Sequence, residues 1–194
     1  MPKLRIIAGH LGGRWIDSTN NNVTHPMGDR VRSALFSKIL SRQSLHNLRV
    51  LDAFAGTGSI GLEALSRGAA SVTFIERDLI AQRILRKNVE SLGATVQSKI
   101  INSDVKQWIE HNLPLSGIDK FDIIFCDPPY DKPQWNIIDN LIKACVINGL
   151  VVISYRSGET LPDPDGVVVV DKSSYGEASL VFYRRVDSWV RFYR

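Results

Sequence analysis

The stretch VLDAFAGTGSIGLE, residues 50–63, decides the fold because it joins a short apolar run, a glycine-rich turn and the start of a helix. Asp52 stands near the end of the predicted strand, and Gly56, Gly58 and Gly61 follow it with the spacing G-x-G-x-x-G. Between a strand and a helix, this spacing lets a nucleotide-like ligand lie close to the backbone at a helix N-terminus. The glycines alone fit a nicotinamide dinucleotide and S-adenosylmethionine equally well.

Apolar runs alternate with helical patterns after residue 49, which is typical of a parallel sheet wrapped by helices. The alternation predicts strands near 49–54, 72–76, 98–102, 121–126 and 150–155, and helices near 58–67, 79–92, 104–112 and 134–146. The last third differs, because the apolar runs 167–170 and 179–183 follow each other without a helix. We expect these two runs to pair as an antiparallel hairpin at the sheet edge, joined by residues 171–178.

Acidic residues follow three predicted strands in succession. Asp52 precedes the glycine loop, where its charge suits the ammonium of a methionine moiety and would repel a pyrophosphate. Glu76 is placed to accept hydrogen bonds from two ribose hydroxyls. Asp104 either accepts from an adenine amino group or caps the helix that begins at Val105. Three acids around one glycine loop favour a cofactor site over three helix caps.

A second motif, FDIIFCDPPY at residues 121–130, ends an apolar run in an acid, two prolines and an aromatic residue. The run is typical of an interior strand. Each proline restricts the preceding residue and removes a backbone N–H, which fixes the Asp127 carboxylate and the Pro128 carbonyl as neighbouring acceptors. An exocyclic amine on a planar base would donate to both while Tyr130 stacks on the base. The simpler interpretation is a strand that ends in a proline turn.

Length and composition indicate one main domain. The chain has 194 residues, 44% hydrophobic and 23% charged, which suits a single α/β domain over 43–194 with an appendage over 1–42. No apolar stretch approaches the roughly 20 residues that span a bilayer, and no signal-peptide core is visible, so we expect a cytoplasmic protein without membrane contact. Cys126 and Cys145 match no metal motif and should be buried. A monomer is the expected state.

The N-terminal part is predicted to form a basic hairpin and a helix. Strands near 4–8 and 14–16 flank three glycines, and after a polar loop a helix is expected near 29–40, with an apolar face of Val31, Ala34, Leu35 and Ile39. Residues 1–49 carry eight Lys or Arg against Asp17 and Asp29, a net +6, so the remainder of this +4 chain nets −2. Such asymmetry fits a surface for nucleic acid and a solvated helix face about equally well. The aromatic and basic tail after Arg185 could stack on RNA, but we expect it to pack across the domain or to be a frayed terminus.

The quoted motifs, with NSD at 102–104, resemble those of class I S-adenosylmethionine-dependent methyltransferases. RIIAGHLGGRWI, DRVRSALF and SYGEASLVFYRR make the chain similar to the RsmD family, the bacterial 16S rRNA (guanine(966)-N(2))-methyltransferases, over nearly its whole length. One departure is His25-Pro26-Met27, where the family usually has R-P-T.

The resemblance implies a Rossmann-like, seven-stranded, mostly parallel sheet ordered 3-2-1-4-5-7-6, its last strand antiparallel, with flanking helices and an N-terminal hairpin and helix that help bind RNA. It implies S-adenosylmethionine, without a metal, held by Asp52, Phe54, Gly56, Gly58, Glu76, Asp104 and Val105. The target guanine would contact Asp127, Pro128, Pro129 and Tyr130. The 16S rRNA, free or in a small ribosomal subunit particle, would contact Arg5, Arg14, Arg30 and Arg32.

Other functions stay open on the residues alone. An adenine-N6 or cytosine-N4 methyltransferase of DNA or RNA would use the same DPPY chemistry. A nicotinamide-dependent oxidoreductase would share the glycine loop but has no use for DPPY, and a non-catalytic RNA-binding assembly factor would keep the fold. The choice of guanine rests on the resemblance, because Asp127 and Pro128 fit any such amine.

Overall fold

The computed structural model describes residues 2–19, 27–112, 120–130 and 135–187. The described strands are β1 (Lys3–Arg5), β2 (Trp15–Asp17), β3 (Arg49–Asp52), β4 (Ser71–Glu76), β5 (Ser98–Asn102), β6 (Phe121–Cys126), β7 (Cys145–Arg156), β8 (Val167–Tyr175) and β9 (Ala178–Arg185). The described helices are α1 (Asp29–Leu40), α2 (Ser59–Ser66), α3 (Leu79–Ser91), α4 (Val105–Asn112) and α5 (Ile138–Ala144). Most of the polar loop before α1, and residues 188–194 of the C-terminal tail, lie outside the described residues.

Seven strands form one sheet in the order β5-β4-β3-β6-β7-β9-β8. The pairs β3–β4, β4–β5 and β6–β7 are parallel, whereas β9 is antiparallel to both β7 and β8. If β3 is numbered as strand 1 of this sheet and β9 as strand 7, the order is 3-2-1-4-5-7-6, and the last strand in sequence is antiparallel to its neighbours. The predicted fold class is therefore confirmed.

The chain divides into two compact units, Met1–Val105 and Lys106–Arg194. The predicted appendage over 1–42 lies within the first unit, and its separate boundary stays a prediction. No helix in the described ranges has both the length and the apolar character needed to cross a membrane.

In the first unit, α2 packs tightly on β4. Every residue of α2 is buried, and a methyl group added at Gly61 would lie 2.3 Å from a ring carbon of Phe74. The third glycine of the G-x-G-x-x-G spacing is thus required by close contact between helix and strand. At the start of α3, Asp78 accepts hydrogen bonds from the N–H groups of Ile80 and Ala81, which caps the helix.

The predicted N-terminal hairpin is present, with Leu4 opposite Ile16 and Arg5 opposite Trp15 in antiparallel register. Its strands cover residues 3–5 and 15–17 instead of the predicted 4–8 and 14–16. Its connection is attached to α2 through Glu63, a buried carboxylate that accepts from the N–H groups of Ile7 at 2.7 Å and Ala8 at 3.0 Å. A side-chain carboxylate on a helix thus holds the backbone that follows β1.

The apolar face of α1 differs from the prediction. Leu35 and Ile39 are buried as expected, but Phe36 and Arg32 complete the buried face, and Val31 and Ala34 are only half-buried. The face is therefore rotated toward Arg32, whose guanidinium is hydrogen-bonded inside the unit.

In the second unit, the predicted helix over 134–146 is too long. The helix α5 ends at Ala144, and β7 begins at Cys145 because this residue pairs with Phe121 of β6. The next aligned pair is Ile123 with Leu150, so β7 bulges between its first residue and its central part. Cys126 and Cys145 are buried as predicted, and burial raises the pKa of the Cys145 thiol to about 12.

The C-terminal hairpin is longer than predicted. Strand β8 continues through Tyr175 and β9 starts at Ala178, so the connection is a two-residue turn at Gly176 and Glu177. Polar residues at 171–175 were predicted as a loop, but they form the end of an edge strand whose side chains alternate in exposure.

The contact between α2 and β4 generates a stability prediction. Gly61→Ala should lower the free energy of unfolding by about 1 to 3 kcal/mol, because the added methyl group overlaps the Phe74 ring. Gly28→Ala is the matched control, since no described atom lies within 4 Å of its added carbon and its φ is −59°. Urea denaturation of both variants checks the prediction, and equal free energies of unfolding would contradict it.

Candidate active site

The glycine loop between β3 and α2 is a preformed turn. The N–H of Gly58 donates to the Ala55 carbonyl at 2.8 Å, and Gly56 and Gly58 have φ values of 54° and 88°, in the left-handed region. A carbon added at Gly58 would lie 2.4 Å from Leu85, whereas none at Gly56 would meet a described atom within 4 Å. Gly58 is therefore needed for packing, and Gly56 leaves the backbone open to a ligand.

Glu76, at the end of β4, connects this loop to the next one. One carboxylate oxygen accepts from the N–H of Gly56 at 2.7 Å, and the other accepts from the N–H of Asp78 at 2.7 Å. An ionised carboxylate has about four lone-pair positions. The half-buried Glu76 thus retains acceptor capacity for ribose hydroxyls, and that contact stays a prediction.

Asp52 has a structural role that the sequence did not reveal. Its carboxylate accepts from the N–H of Gly61 in the first turn of α2 at 2.9 Å, and the residue is 1% exposed. An acid at a helix N-terminus is favoured by the helix dipole. The predicted contact of Asp52 with an ammonium group stays a prediction beside this role.

Asp104 forms an ion pair with Arg77 at 3.0 Å, between the segments that follow β5 and β4. Sequence analysis did not single out Arg77, although it directly follows Glu76. The side chain of Val105 is buried and cannot present a surface to a ligand, so its predicted contact is limited to its backbone. Phe54 is half-buried in the segment after β3.

In the second unit, the DPPY residues follow β6 directly. Asp127, Pro129 and Tyr130 are half-buried and Pro128 is buried. The Tyr130 hydroxyl lies 2.7 Å from the Oγ of Ser154, a residue of β7 that is 2% exposed. Ser154 was missed, and the available signal is a single serine within the apolar run 150–155. A buried polar atom needs a hydrogen-bond partner, and here the partner is the candidate stacking residue.

The electrostatics of this corner differ from those of the first unit. Burial raises the pKa of Asp127 to about 6, and a hydrogen bond with Ser154 partly opposes the rise. Burial, with the charges of Asp127 and Glu159, also raises the pKa of Tyr130, whose phenol therefore stays protonated at neutral pH. Asp127 therefore changes from neutral to ionised around pH 6, and its carboxylate accepts hydrogen bonds at neutral pH and above.

The predicted RNA-contacting arginines divide by environment. Arg5, Arg14 and Arg30 are all exposed. Of these, Arg14 also donates to the carbonyl of Leu92 at the end of α3 at 3.2 Å. Arg32 is 0% exposed. The prediction that Arg32 contacts RNA is wrong, because burial withdraws its guanidinium from any surface ligand.

The internal partners of Arg32 explain its burial. The guanidinium donates to the Arg5 carbonyl at 2.6 Å, to the Met27 carbonyl at 3.2 Å and to the Asp29 carboxylate at 2.8 Å. Sequence analysis also missed Trp15, which is 59% exposed and lies opposite Arg5 in the hairpin. Directly opposed residues of an antiparallel pair share a face, so an aromatic ring and a cation stand together on the exposed face of the hairpin.

Comparison with known proteins identifies the family. A family model described as "Conserved hypothetical protein 95" matches residues 4–184. The chain is 31% identical over 191 residues to "Ribosomal RNA small subunit methyltransferase D" of Haemophilus influenzae, covering 94% of each. The chain belongs to the RsmD family. This RsmD family member is also similar to the solved structure of yhhF from Escherichia coli, with a TM-score of 0.77 and 27% identity over 95% of this chain and 99% of that one.

The fold is shared more widely than the family. The structure of SMU.776 complexed with SAH matches with a TM-score of 0.65 and 15% identity, covering 80% of this chain and 48% of that one. At this identity the likeness shows the fold alone. Membership of the RsmD family places the chain among rRNA methyltransferases.

The raised pKa of Asp127 generates a prediction for stability. Because the folded pKa of about 6 lies above the ordinary 3.8, ionising Asp127 costs stability as pH rises through this window. Asp127→Asn should therefore raise the free energy of unfolding at pH 8 by about 1 to 2 kcal/mol, after allowance for the water that reaches this half-buried group.

At pH 3.5 the gain should vanish, since the carboxyl is then mostly neutral in both states. Urea denaturation of the Asp127→Asn variant and the unmodified protein at the two pH values measures the difference. A gain of equal size at both pH values would contradict the raised pKa.

Proposed function

We propose that this protein transfers a methyl group from S-adenosylmethionine to the exocyclic N2 amine of a guanine in 16S rRNA. The observation that carries the proposal is the DPPY corner, where Asp127 has a raised pKa and Tyr130 is held by Ser154. The relative from Haemophilus influenzae is named a ribosomal RNA small subunit methyltransferase, which supports rRNA as the substrate.

The glycine loop fits the proposed cofactor. Its backbone is open at Gly56, and the carboxylate of Glu76 keeps lone pairs beside it, as a nucleoside with two ribose hydroxyls requires. We propose that Asp52, Phe54 and Gly58 complete this part of the site. The Asp104 carboxylate would accept a hydrogen bond from the adenine, and the backbone N–H of Val105 would donate one to it. Bound S-adenosylmethionine supplies an electrophilic methyl group, and the proposal involves no metal.

Asp127 activates the amine in the proposed mechanism. The lone pair of guanine N2 is delocalised into the ring, which makes the nitrogen a poor nucleophile. Donation of its two N–H groups to the Asp127 carboxylate and the Pro128 carbonyl raises the electron density on nitrogen and fixes its direction. As the bond from N2 to the methyl carbon forms and the bond from that carbon to sulfur breaks, the carboxylate would stabilise the positive charge that develops on nitrogen. S-adenosylhomocysteine would leave, and the extra proton would pass to Asp127 or to water.

Tyr130 positions the base. Its ring stacks on the extruded guanine beside Pro129, while the hydrogen bond to Ser154 restricts the ring before the substrate arrives. Fixing the side chain in advance reduces the entropy lost on binding.

The N-terminal hairpin is the proposed docking element for rRNA, free or within a small ribosomal subunit particle, in the cytoplasm. Arg5 and Arg30 are exposed cations for phosphates, and Arg14 presents a further positive charge. Trp15 adds an exposed ring on which an unpaired base can stack.

The catalytic role of Asp127 has a direct test. Asp127→Ala should lower the rate constant for methyl transfer at least about a thousandfold, because the amine loses its acceptor and the developing charge loses its counterpart. The dissociation constant for S-adenosylmethionine should change less than about twofold. Asp139→Ala, on the exposed side of α5, is the matched control.

Incorporation of tritiated methyl groups into 16S rRNA measures the rate, and mass spectrometry identifies the product nucleoside. A wild-type rate for Asp127→Ala would disprove the mechanism. N6-methyladenosine or N4-methylcytidine in place of N2-methylguanosine would correct the base and leave the amine chemistry intact.

The hairpin proposal predicts different responses from two neighbouring side chains. Trp15→Ala should weaken rRNA binding by about 1 to 3 kcal/mol without changing its salt dependence, because stacking involves no charge. Arg5→Ala should weaken binding and lower the slope of log K against log salt by about 1. Filter binding between 50 and 200 mM salt measures both, and unchanged affinity in both variants would exclude the hairpin from the interface.

A further inference from the structure

Asn88 of α3 joins the hairpin to the glycine loop. Its Oδ1 accepts from the N–H of Asp17 at 2.8 Å, and its Nδ2 donates to the carbonyl of Asp17 at 2.9 Å and to the carbonyl of Thr57 at 2.9 Å. Asp17 ends β2 of the hairpin, and Thr57 lies between the two glycines of the loop. Asn88 itself is 2% exposed. One buried carboxamide therefore bonds the proposed RNA-docking element and the proposed cofactor loop at once.

Other contacts attach the hairpin elsewhere. Glu63 and Ser66 of α2 bind the backbone around Ala8, and the exposed Lys87 forms an ion pair with the Asp17 carboxylate at 2.7 Å. These contacts hold the hairpin to the helices, whereas the Asn88 carboxamide reaches the loop itself.

The geometry of a carboxamide makes this connection stiff. Its oxygen and nitrogen are coplanar, and both hydrogens of Nδ2 are used, one toward each carbonyl. A buried group that loses such a bond is not rehydrated and bears the cost of desolvation. A change in the direction of the Thr57 carbonyl therefore either breaks its bond to Nδ2, at this cost, or turns the carboxamide and disturbs its bonds to Asp17.

We infer that Asn88 is a positioning residue that couples occupancy of the glycine loop to the order of the N-terminal hairpin. The inference rests on the proposed function, since it takes the loop to hold the methyl donor. Binding of the donor fixes the Thr57 carbonyl and, through Asn88, the end of β2. By linkage, rRNA bound to the hairpin raises the affinity for the donor by the same factor as the donor raises the affinity for rRNA.

The first test uses the unmodified protein and S-adenosylhomocysteine as the probe. Hydrogen–deuterium exchange, resolved by residue with NMR, follows the amide of Asp17 with and without the probe. The coupling predicts slower exchange at Asp17 when the probe is bound, because a fixed Thr57 carbonyl holds the carboxamide in the orientation in which Oδ1 accepts from the Asp17 N–H. Unchanged exchange with the probe bound overturns the inference.

Two variants separate the coupling from simple packing. Asn88→Asp keeps the acceptor for the Asp17 N–H but removes both donated hydrogen bonds, so the dissociation constant for S-adenosylhomocysteine should rise about 3- to 10-fold and the response at Asp17 should be lost. Lys87→Ala is the matched control. The ammonium group of Lys87 donates to the carboxylate of the same aspartate, but this contact does not involve the glycine loop. The variant should keep the affinity within about twofold and keep the response.

The outcomes distinguish the inference from the proposed function. Failure of the unmodified protein to bind S-adenosylhomocysteine in calorimetry would overturn the proposed function and the coupling with it. Binding without a response at Asp17, or Asn88→Asp behaving like Lys87→Ala, would overturn the coupling alone. If Asn88→Asp does not fold, as circular dichroism would show, the exchange experiment on the unmodified protein decides.

Discussion

Donation from backbone N–H groups to buried or half-buried carboxylates is the interaction on which the first unit depends. Asp52 receives the N–H of Gly61, Glu63 those of Ile7 and Ala8, and Glu76 those of Gly56 and Asp78. An ionised carboxylate removed from water is costly unless it accepts hydrogen bonds, and an unpaired N–H carries a similar penalty. Each bond therefore removes two penalties and fixes a loop to a strand or helix. The glycine loop acquires its shape from these constraints before any ligand is present.

The second unit treats its acid differently. Asp127 is desolvated and has a raised pKa, with the hydroxyl of Ser154 only partly opposing the rise. An acid whose acceptor capacity is fully used by the protein has little left for a substrate, and among the described residues the hydrogen-bond partner of Asp127 is the hydroxyl of Ser154. Glu63, whose carboxylate accepts backbone N–H bonds, stabilises the fold. Asp127, whose pKa is raised, is the acid that we assign to the proposed reaction.

The fold was predictable because short apolar runs alternate with helical patterns along the chain, and the DPPY and glycine motifs follow β6 and β3. Predictions failed where a long-range partner overrides local pattern. Arg32 looked like a surface cation, but it is buried and its guanidinium donates to the carbonyl of Arg5 in β1, which lies far away in the sequence. The start of β7 was assigned to a helix, since nothing nearby in the sequence shows that Cys145 pairs with Phe121. Ser154 and Asn88 were missed for the same reason, because their partners lie far away in the chain.

The burial of Arg32 changes how the charge of the N-terminal segment should be understood. Binding to RNA draws much of its free energy from counterions that basic side chains displace from phosphates. Arg32 is buried inside the unit and can displace no counterion from a phosphate. Arg14 already donates to the carbonyls at the end of α3, so it can displace a counterion only if its guanidinium also contacts the phosphate. The formal +6 of residues 1–49 therefore overstates the electrostatic driving force for association. Part of this positive charge is structural, and it holds the hairpin against its helices while the remaining cations attract the nucleic acid.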